Sequence, residues 1–224
     1  MSDLPYEIIS TGSHGNAVLL NDYILVDCGV SYKALQPHIK ALRLVLLTHA
    51  HGDHFNRATI RRLAYERPAL RFGGGAWLAQ ALIESGVGKD RIDILSTGRS
   101  YRYGDDKVIP VPLQHNVPNQ GYKIHFGSGK KAIYATDTST LAGITAKDYD
   151  LYMIEANYED EEIVKRIHDK VKGGEYAYEI NAVQNHLSKE KCDEWIYKNI
   201  GSNGVYIYMH QHQEPGRTSN NEQT

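Results

Sequence analysis

The stretch Leu44-Val45-Leu46-Leu47, running directly into Thr48-His49-Ala50-His51-Gly52-Asp53-His54, constrains this chain more than any other. A short continuous apolar run fits a buried strand. This one ends in three imidazoles and a carboxylate at H-x-H-x-D-H spacing. Borderline divalent ions, zinc above all, take nitrogen and oxygen donors of this kind, and a two-metal centre needs several of them within a few ångströms. A histidine-rich surface turn is the competing reading, but it gives no reason for these candidate ligands to crowd the end of a strand. Whatever the fold, a buried strand has to deliver its chain into a metal-binding loop.

Further candidates stand at the same kind of position. His115 follows Val111-Pro112-Leu113-Gln114, Asp137 follows Ala132–Thr136, and His210 follows Val205–Met209. A strand end suits a ligand because the sheet fixes the backbone while the side chain stays free to reach an ion. Any one of these alone reads as a solvated turn residue; their recurrence after apolar strands favours ligation. His186, in Asn185-His186-Leu187-Ser188, lies in a loop where Ser188 is a natural N-cap for the next helix, so a capping-loop role competes evenly with a chemical one. His14, His38, His125, His168 and His212 lack such a context and read as surface or packing residues.

Strand signals cover Tyr6–Ser10, Ala17–Leu20 and Tyr23–Asp27, followed by a helix from the Ser31 cap to about Leu42. Helical periodicity marks Arg57–Glu66 and Ala76–Ser85, with Leu78 and Leu82 one turn apart. Strands return at Arg91–Leu95, Lys107–Leu113, Gly121–Phe126 and Lys131–Thr136, the last pair joined as a hairpin by Gly127-Ser128-Gly129. Asp150–Glu155 reads as a buried strand, Asp160–Lys172, Glu175–Gln184 and Lys189–Ile200 as helices, and Val205–Met209 as a closing strand. No linker divides the chain. Residues 1–212 are expected to form one domain, and the polar 213–224 a disordered tail.

The formal net charge of −2 gives no global reason to bind a polyanion. Cys28 and Cys192, far apart, suggest no disulfide framework and a reducing compartment, and Cys28 reads as a small buried hydrophobe. With neither a signal-peptide pattern at the first residues nor an apolar run long enough to span a bilayer, the expectation is a cytoplasmic protein without membrane contact.

In order along the chain, these motifs resemble the metallo-β-lactamase superfamily. Ser10-Thr11-Gly12-Ser13-His14-Gly15-Asn16 and Val26-Asp27-Cys28-Gly29 resemble its first glycine loop and strand-end aspartate. His49, His51, Asp53 and His54 match its signature, His115 its third motif, Asp137 its bridging carboxylate and His210 its last histidine. The resemblance implies an α/β fold, a four-layer αββα sandwich, with two divalent metal ions, zinc or alternatively manganese, at one edge of the packed sheets. It further implies that His49, His51 and His115 bind one ion, Asp53, His54 and His210 the other, and that Asp137 bridges them, with Asp27 supporting the histidines.

His115-Asn116-Val117-Pro118-Asn119-Gln120-Gly121-Tyr122, Ala135-Thr136-Asp137-Thr138 and Asn185-His186-Leu187-Ser188 narrow the likeness to the branch of tRNase Z and related phosphodiesterases. Single-domain bacterial nucleases and compact phage phosphodiesterases that destroy cyclic-nucleotide (Pycsar) defence signals look similar, and a phage origin would place the protein in the host cytoplasm. The short segment between His115 and Asp137 leaves no room for the arm with which tRNase Z grips tRNA. Hydrolysis of 3′,5′-cyclic mononucleotides to linear monophosphates is therefore the leading expectation, with Asp53 orienting the attacking water and His186 donating a proton to the leaving oxygen. The alternatives are a DNA or RNA nuclease, for which Arg57, Arg61 and Arg62 could line a basic groove, and a thioester or lactam hydrolase. A homodimer is expected because small relatives in this branch pair, with Tyr122, Tyr158, Tyr176 and Tyr178 as candidates for base stacking or an interface.

Overall fold

The computed structural model describes residues 4–173, 176–177 and 179–211, so Tyr178, His212 and the expected tail at 213–224 lie outside the described residues. The first sheet takes β1 (Tyr6–Ser10), β2 (Ala17–Leu20), β3 (Ile24–Val26), β4 (Leu44–Leu47), β5 (Arg71–Gly74) and β6 (Ile92–Ile94) in sequence order. The second takes β7 (Tyr101–Tyr103), β8 (Asp106–Leu113), β9 (Asn119–His125), β10 (Lys131–Ala135), β11 (Leu151–Glu155) and β12 (Val205–Met209), again neighbour to neighbour. Between the strands lie α1 (Tyr32–Leu35), α2 (Arg57–Glu66), α3 (Ala79–Glu84), α4 (Asp160–Lys172), α5 (Glu179–Asn185) and α6 (Lys189–Asn199).

Strand periodicity sorts the apolar residues into layers. Val18, Leu20, Leu44 and Leu46 meet Val108, Ile124, Tyr134 and Met153 between the sheets. Their neighbours Leu19, Val45 and Leu47 point the other way, against Leu35 of α1, Ile60 and Leu63 of α2, and Leu82 of α3. Beyond the second sheet, Ile133, Ala135, Tyr152 and Ile154 pack on Leu187 and on Cys192 and Ile196 of α6. The result is the expected αββα sandwich. Apolar runs such as Leu44–Leu47 are continuous because both faces of the strand are covered.

Three expectations about elements change. The helix begun by Ser31 ends at Leu35, not Leu42, because Pro37 has no N–H to donate to Lys33; the Gln36 N–H bonds that carbonyl instead and the chain goes on in turns. Ala76–Ser85 divides into a 3₁₀ turn at Ala76–Leu78 and the helix α3. Strands β5 and β7 carried no strand signal. In β5, a Cβ on Gly73 would stand 2.9 Å from Leu95 and 3.1 Å from Leu46, so the glycine that masks the strand also permits its packing.

Candidate metal centre and cleft

Strands β3, β4, β10, β11 and β12 end at one edge of the sandwich, β3 parallel to β4 and β10–β12 parallel to one another. The chain turns sharply there: Asp27 (φ 60°), Asp137 (φ 55°) and His210 (φ 52°) adopt left-handed backbone just past β3, β10 and β12. Such conformations persist where surrounding contacts over-determine them, typically at functional sites. His49, His51, Asp53 and His54 lie in the loop between β4 and α2, His115 follows β8, and His186 follows α5.

All seven candidate ligands converge. Single donor atoms of His49, His51 and His115 lie within 4.8 Å of one another, as do those of Asp53, His54 and His210. Asp137 stands between the two sets, Oδ1 3.8 Å from His115 Nε2 and Oδ2 2.9 Å from His54 Nε2. The first set is tight, with His49 Nε2 3.1 Å from His51 Nδ1.

Hydrogen bonds at the back of the rings fix which nitrogens face the centre. His54 Nδ1 lies 2.7 Å from Asp27 Oδ2 and His115 Nδ1 3.2 Å from the Asn185 carbonyl; both partners only accept, so each Nδ1 carries the hydrogen. The Thr48 hydroxyl donates to Asp27 at 2.9 Å and so accepts from His49 Nδ1 at 3.0 Å. The Nε2 atoms of His49, His54 and His115 are thereby turned toward the centre, the orientation that partners behind metal-binding histidines characteristically impose. Asn16 ties the glycine loop to this arrangement, its amide 2.8 Å from His54 Nε2 and bonded to the backbone of Gly12 and Asp53.

The electrostatics fit a dication. Burial pushes the His49 pKa down to about 2, helped by the positive charge on His54, and burial likewise lowers that of His115. Burial also opposes a charge on His54, but the carboxylates of Asp27 and Asp137 outweigh it and raise its pKa well above the usual value. Burial would raise the Asp137 pKa; the charge on His54 overrides it and holds the group below the carboxylate range. Asp137 is buried, with Oδ2 facing His54 Nε2 at 2.9 Å and Oδ1 3.6 Å from His210 Nδ1. A buried carboxylate among converging imidazole nitrogens is a donor set suited to a divalent ion.

Glu155, at the end of β11, was not among the sequence candidates for chemistry. Its fully buried side chain accepts at Oε1 from His186 Nδ1 (2.7 Å) and His210 Nδ1 (3.0 Å), and at Oε2 from the N–H groups of Thr138 (2.7 Å) and Leu187 (3.3 Å). Its signal is the one that marked His115, Asp137 and His210, a polar residue closing an apolar strand. Burial opposes a charge on His210, but the bond to Glu155 and the charge on Asp137 outweigh it and raise its pKa.

The centre opens into a cleft of about 420 Å³ walled by Thr11–His14, Asn116, Asn157, Asn181, Asn185 and Gln211; among the described residues no Lys or Arg lines it. His14, expected to be an ordinary surface residue, stands at this rim. Ser188 accepts from the Lys191 N–H at 3.4 Å as the cap of α6, while His186 beside it faces the cleft. Arg57 and Arg62 form no basic groove, being paired with Glu84 (3.0 Å) and Glu66 (2.8 Å). Tyr122 is buried between the sheets with its hydroxyl on the Leu47 carbonyl, and Tyr158 is also buried; neither is available for stacking on a base. Cys28 is fully buried, and burial pushes its thiol pKa up.

Residues 22–187 match the beta-lactamase superfamily domain, and the chain belongs to that family. Its fold resembles the metallo-beta-lactamase fold protein YhfI from Bacillus subtilis (TM-score 0.70, 18% identity, covering 94% of this chain and 87% of that one). It is equally similar to the short form of human tRNase Z (TM-score 0.70, 16% identity, covering 93% of this chain and 92% of that one). A metallo-beta-lactamase from Cronobacter sakazakii with a HARLDQ motif is more distant (TM-score 0.51, 16% identity, covering 85% and 90%). No curated protein matches the chain. The protein is a metal-dependent hydrolase by family, and among the described residues no helix is long and apolar enough to cross a membrane.

Proposed function

We propose that this member of the beta-lactamase superfamily is a phosphodiesterase that holds two divalent ions and opens small nucleotides, 3′,5′-cyclic mononucleotides first among them. The observation that carries the reading is a histidine aimed into a neutral cleft and braced by a buried carboxylate: His186 on Glu155, beside the seven candidate ligands. Hydrolysis of a thioester releases a thiolate that has little use for a proton donor, whereas an alkoxide leaving from phosphorus needs a proton.

His49, His51 and His115 would hold one ion, Asp53, His54 and His210 the other, with Asp137 shared. Divalent ions bound there, zinc or manganese, would lower the pKa of water and offset phosphate charge. The Asp53 carboxylate, partly exposed to the cleft, accepts a hydrogen bond from the attacking water and orients it. As the ring P–O bond breaks, His186 gives its Nε2 proton to the departing sugar oxygen, while its Nδ1–H stays on Glu155. The uncharged walls suit a substrate with a single phosphodiester charge; the exposed amides of Asn116 and Asn181 can meet its hydroxyls or base edge. Among the described residues the cleft offers a long polyanion no Lys or Arg, which ranks the nuclease reading second.

The homodimer belongs to the same reading. Exposed Val164 and Val171 on α4 and Ile180 and Val183 on α5 give two adjoining helices an apolar surface, and α5 also walls the cleft. The deciding experiment offers protein loaded with zinc or manganese to cyclic mononucleotides, linear single strands and acyl thioesters. Ring opening of a cyclic nucleotide is expected; turnover confined to thioesters would overturn the phosphodiesterase reading.

A further inference from the structure

The outer face of the second sheet carries basic residues in register on adjacent strands. Arg102 of β7 stands opposite Lys107 of β8, Lys107 opposite His125 of β9, and His125 opposite Lys131 of β10. Lys123, one step further along β9's outer face, lies between Ile109 and Ile133. The intervening Tyr101, Tyr103, Val108, Ile124 and Ala132 all face the core between the sheets, so these basic side chains share the opposite face. At about 4.8 Å between strands, the row is roughly 14 Å long.

Like charges directly opposite one another destabilise a sheet. At the β10 end Lys131 Nζ lies 5.2 Å from the centre of the Tyr149 ring and His125 Nε2 2.7 Å from the Tyr149 hydroxyl, while among the described residues Arg102, Lys107 and Lys123 have no comparable partner. Among the described residues no carboxylate lies within ion-pair distance of Arg102, Lys107, Lys123 or Lys131. Asp150, the nearest, is held by Lys130 Nζ (2.8 Å) and the Lys131 N–H (2.9 Å). Burial lowers the His125 pKa, and the charges on Lys107, Lys131 and Lys123 lower it further, so the ring is neutral and the row's charge rests on its lysines and Arg102. Lysines commonly protect an edge strand from aggregation, but that accounts only for β7; β8, β9 and β10 are interior strands. Nor does overall basicity explain the row, since the chain has a net charge of −2.

We propose that this face docks the phosphodiester backbone of single-stranded nucleic acid. Arg102, Lys107, Lys123 and Lys131, on adjacent strands, offer a linear chain of regularly spaced anions several contacts to its backbone and none to its bases, so the binding is independent of sequence. An anionic membrane fits less well, because none of the exposed large apolar side chains belongs to β7–β10. The row lies on the order of 20 Å from His115 along β8, outside the catalytic cleft, so it would tether the enzyme to nucleic acid while the cleft stays open to small substrates.

The test measures fluorescence anisotropy of labelled oligothymidylate with nuclease-resistant phosphorothioate links, added to the metal-loaded full chain across a salt series. Wild type should bind with a steep salt dependence. The double variant Lys107→Glu/Lys123→Glu should bind at least about tenfold more weakly and lose about 1.4 from the log–log salt slope, as two fewer single-strand phosphate contacts require. Its hydrolysis of bis-p-nitrophenyl phosphate should be unchanged, so the result is separate from the fate of the proposed catalytic function. Should that variant fail to fold, Arg102→Gln on the exposed edge strand should still reduce the slope by about 0.7. Wild-type affinity in the folded variants would overturn the proposal, as would equal competition by polyglutamate or preferential binding to anionic vesicles.

Discussion

Glu155 joins the two histidines at the inner end of the cleft through one oxygen and two backbone N–H groups through the other. In Glu155→Gln one of those acceptors becomes an amide nitrogen facing donors, so either the imidazoles or the backbone groups lose their partner. The expected cost is about 10–100-fold in turnover or metal affinity, the range for partners behind metal-binding histidines; rates and elemental analysis on the same preparation separate the two. His186→Ala should slow cyclic-phosphodiester hydrolysis roughly a hundredfold to ten-thousandfold with metal content unchanged, and should matter much less for bis-p-nitrophenyl phosphate, whose leaving group needs no proton. Equal losses on both substrates would make His186 a phosphate-positioning residue.

At the level of elements, the histidine loop is held against the turn after β3 by backbone contacts. The Asn16 N–H donates to Asp53 O at 2.6 Å, Cys28 N–H to His54 O at 2.9 Å, and Gly29 N–H to Asn16 O at 2.9 Å. A Cβ on Gly29 would fall 1.7 Å from Asp53 O and 2.8 Å from Asn16 N, and neither backbone atom can move without displacing the ligands. Gly29→Ala should therefore cost about 1–3 kcal/mol, the range for forced overpacking, and most of the activity. Thermal melts and turnover would show both; an active, fully stable variant would mean that the loop can shift freely. The sequence marked Gly29 only as part of a motif, because a close approach between segments distant in the chain leaves no local periodicity.

For the molecule as a whole, the apolar core between the sheets and the cleft at their edge are separate, so the surface around α4 and α5 can serve association without disturbing either. With Val164, Val171, Ile180 and Val183 exposed on adjoining helices, sedimentation equilibrium at micromolar concentration should give twice the chain mass. Val164→Glu/Val183→Glu should return one chain mass with the fold retained. A wild-type mass of one chain would refute the dimer.

Most strands and the candidate ligands were legible in the sequence alone, because these rest on short-range signals, alternation or continuity of apolar residues and polar residues set at strand ends; the four-layer order came from the resemblance its motifs carry. β1, β2, β4, β12, α2 and α4 have the bounds read from the sequence. Tertiary structure decided what depends on distant partners. It stopped α1 at Pro37, where a lost N–H overrode helical periodicity, and it made a strand of Arg71–Gly74 because Leu46 and Leu95 close over Gly73. It brought Glu155 beneath His186 and His210, from segments 31 and 55 residues away. It also set Arg102, Lys107, His125 and Lys131 in one row, through strand register that no single segment encodes.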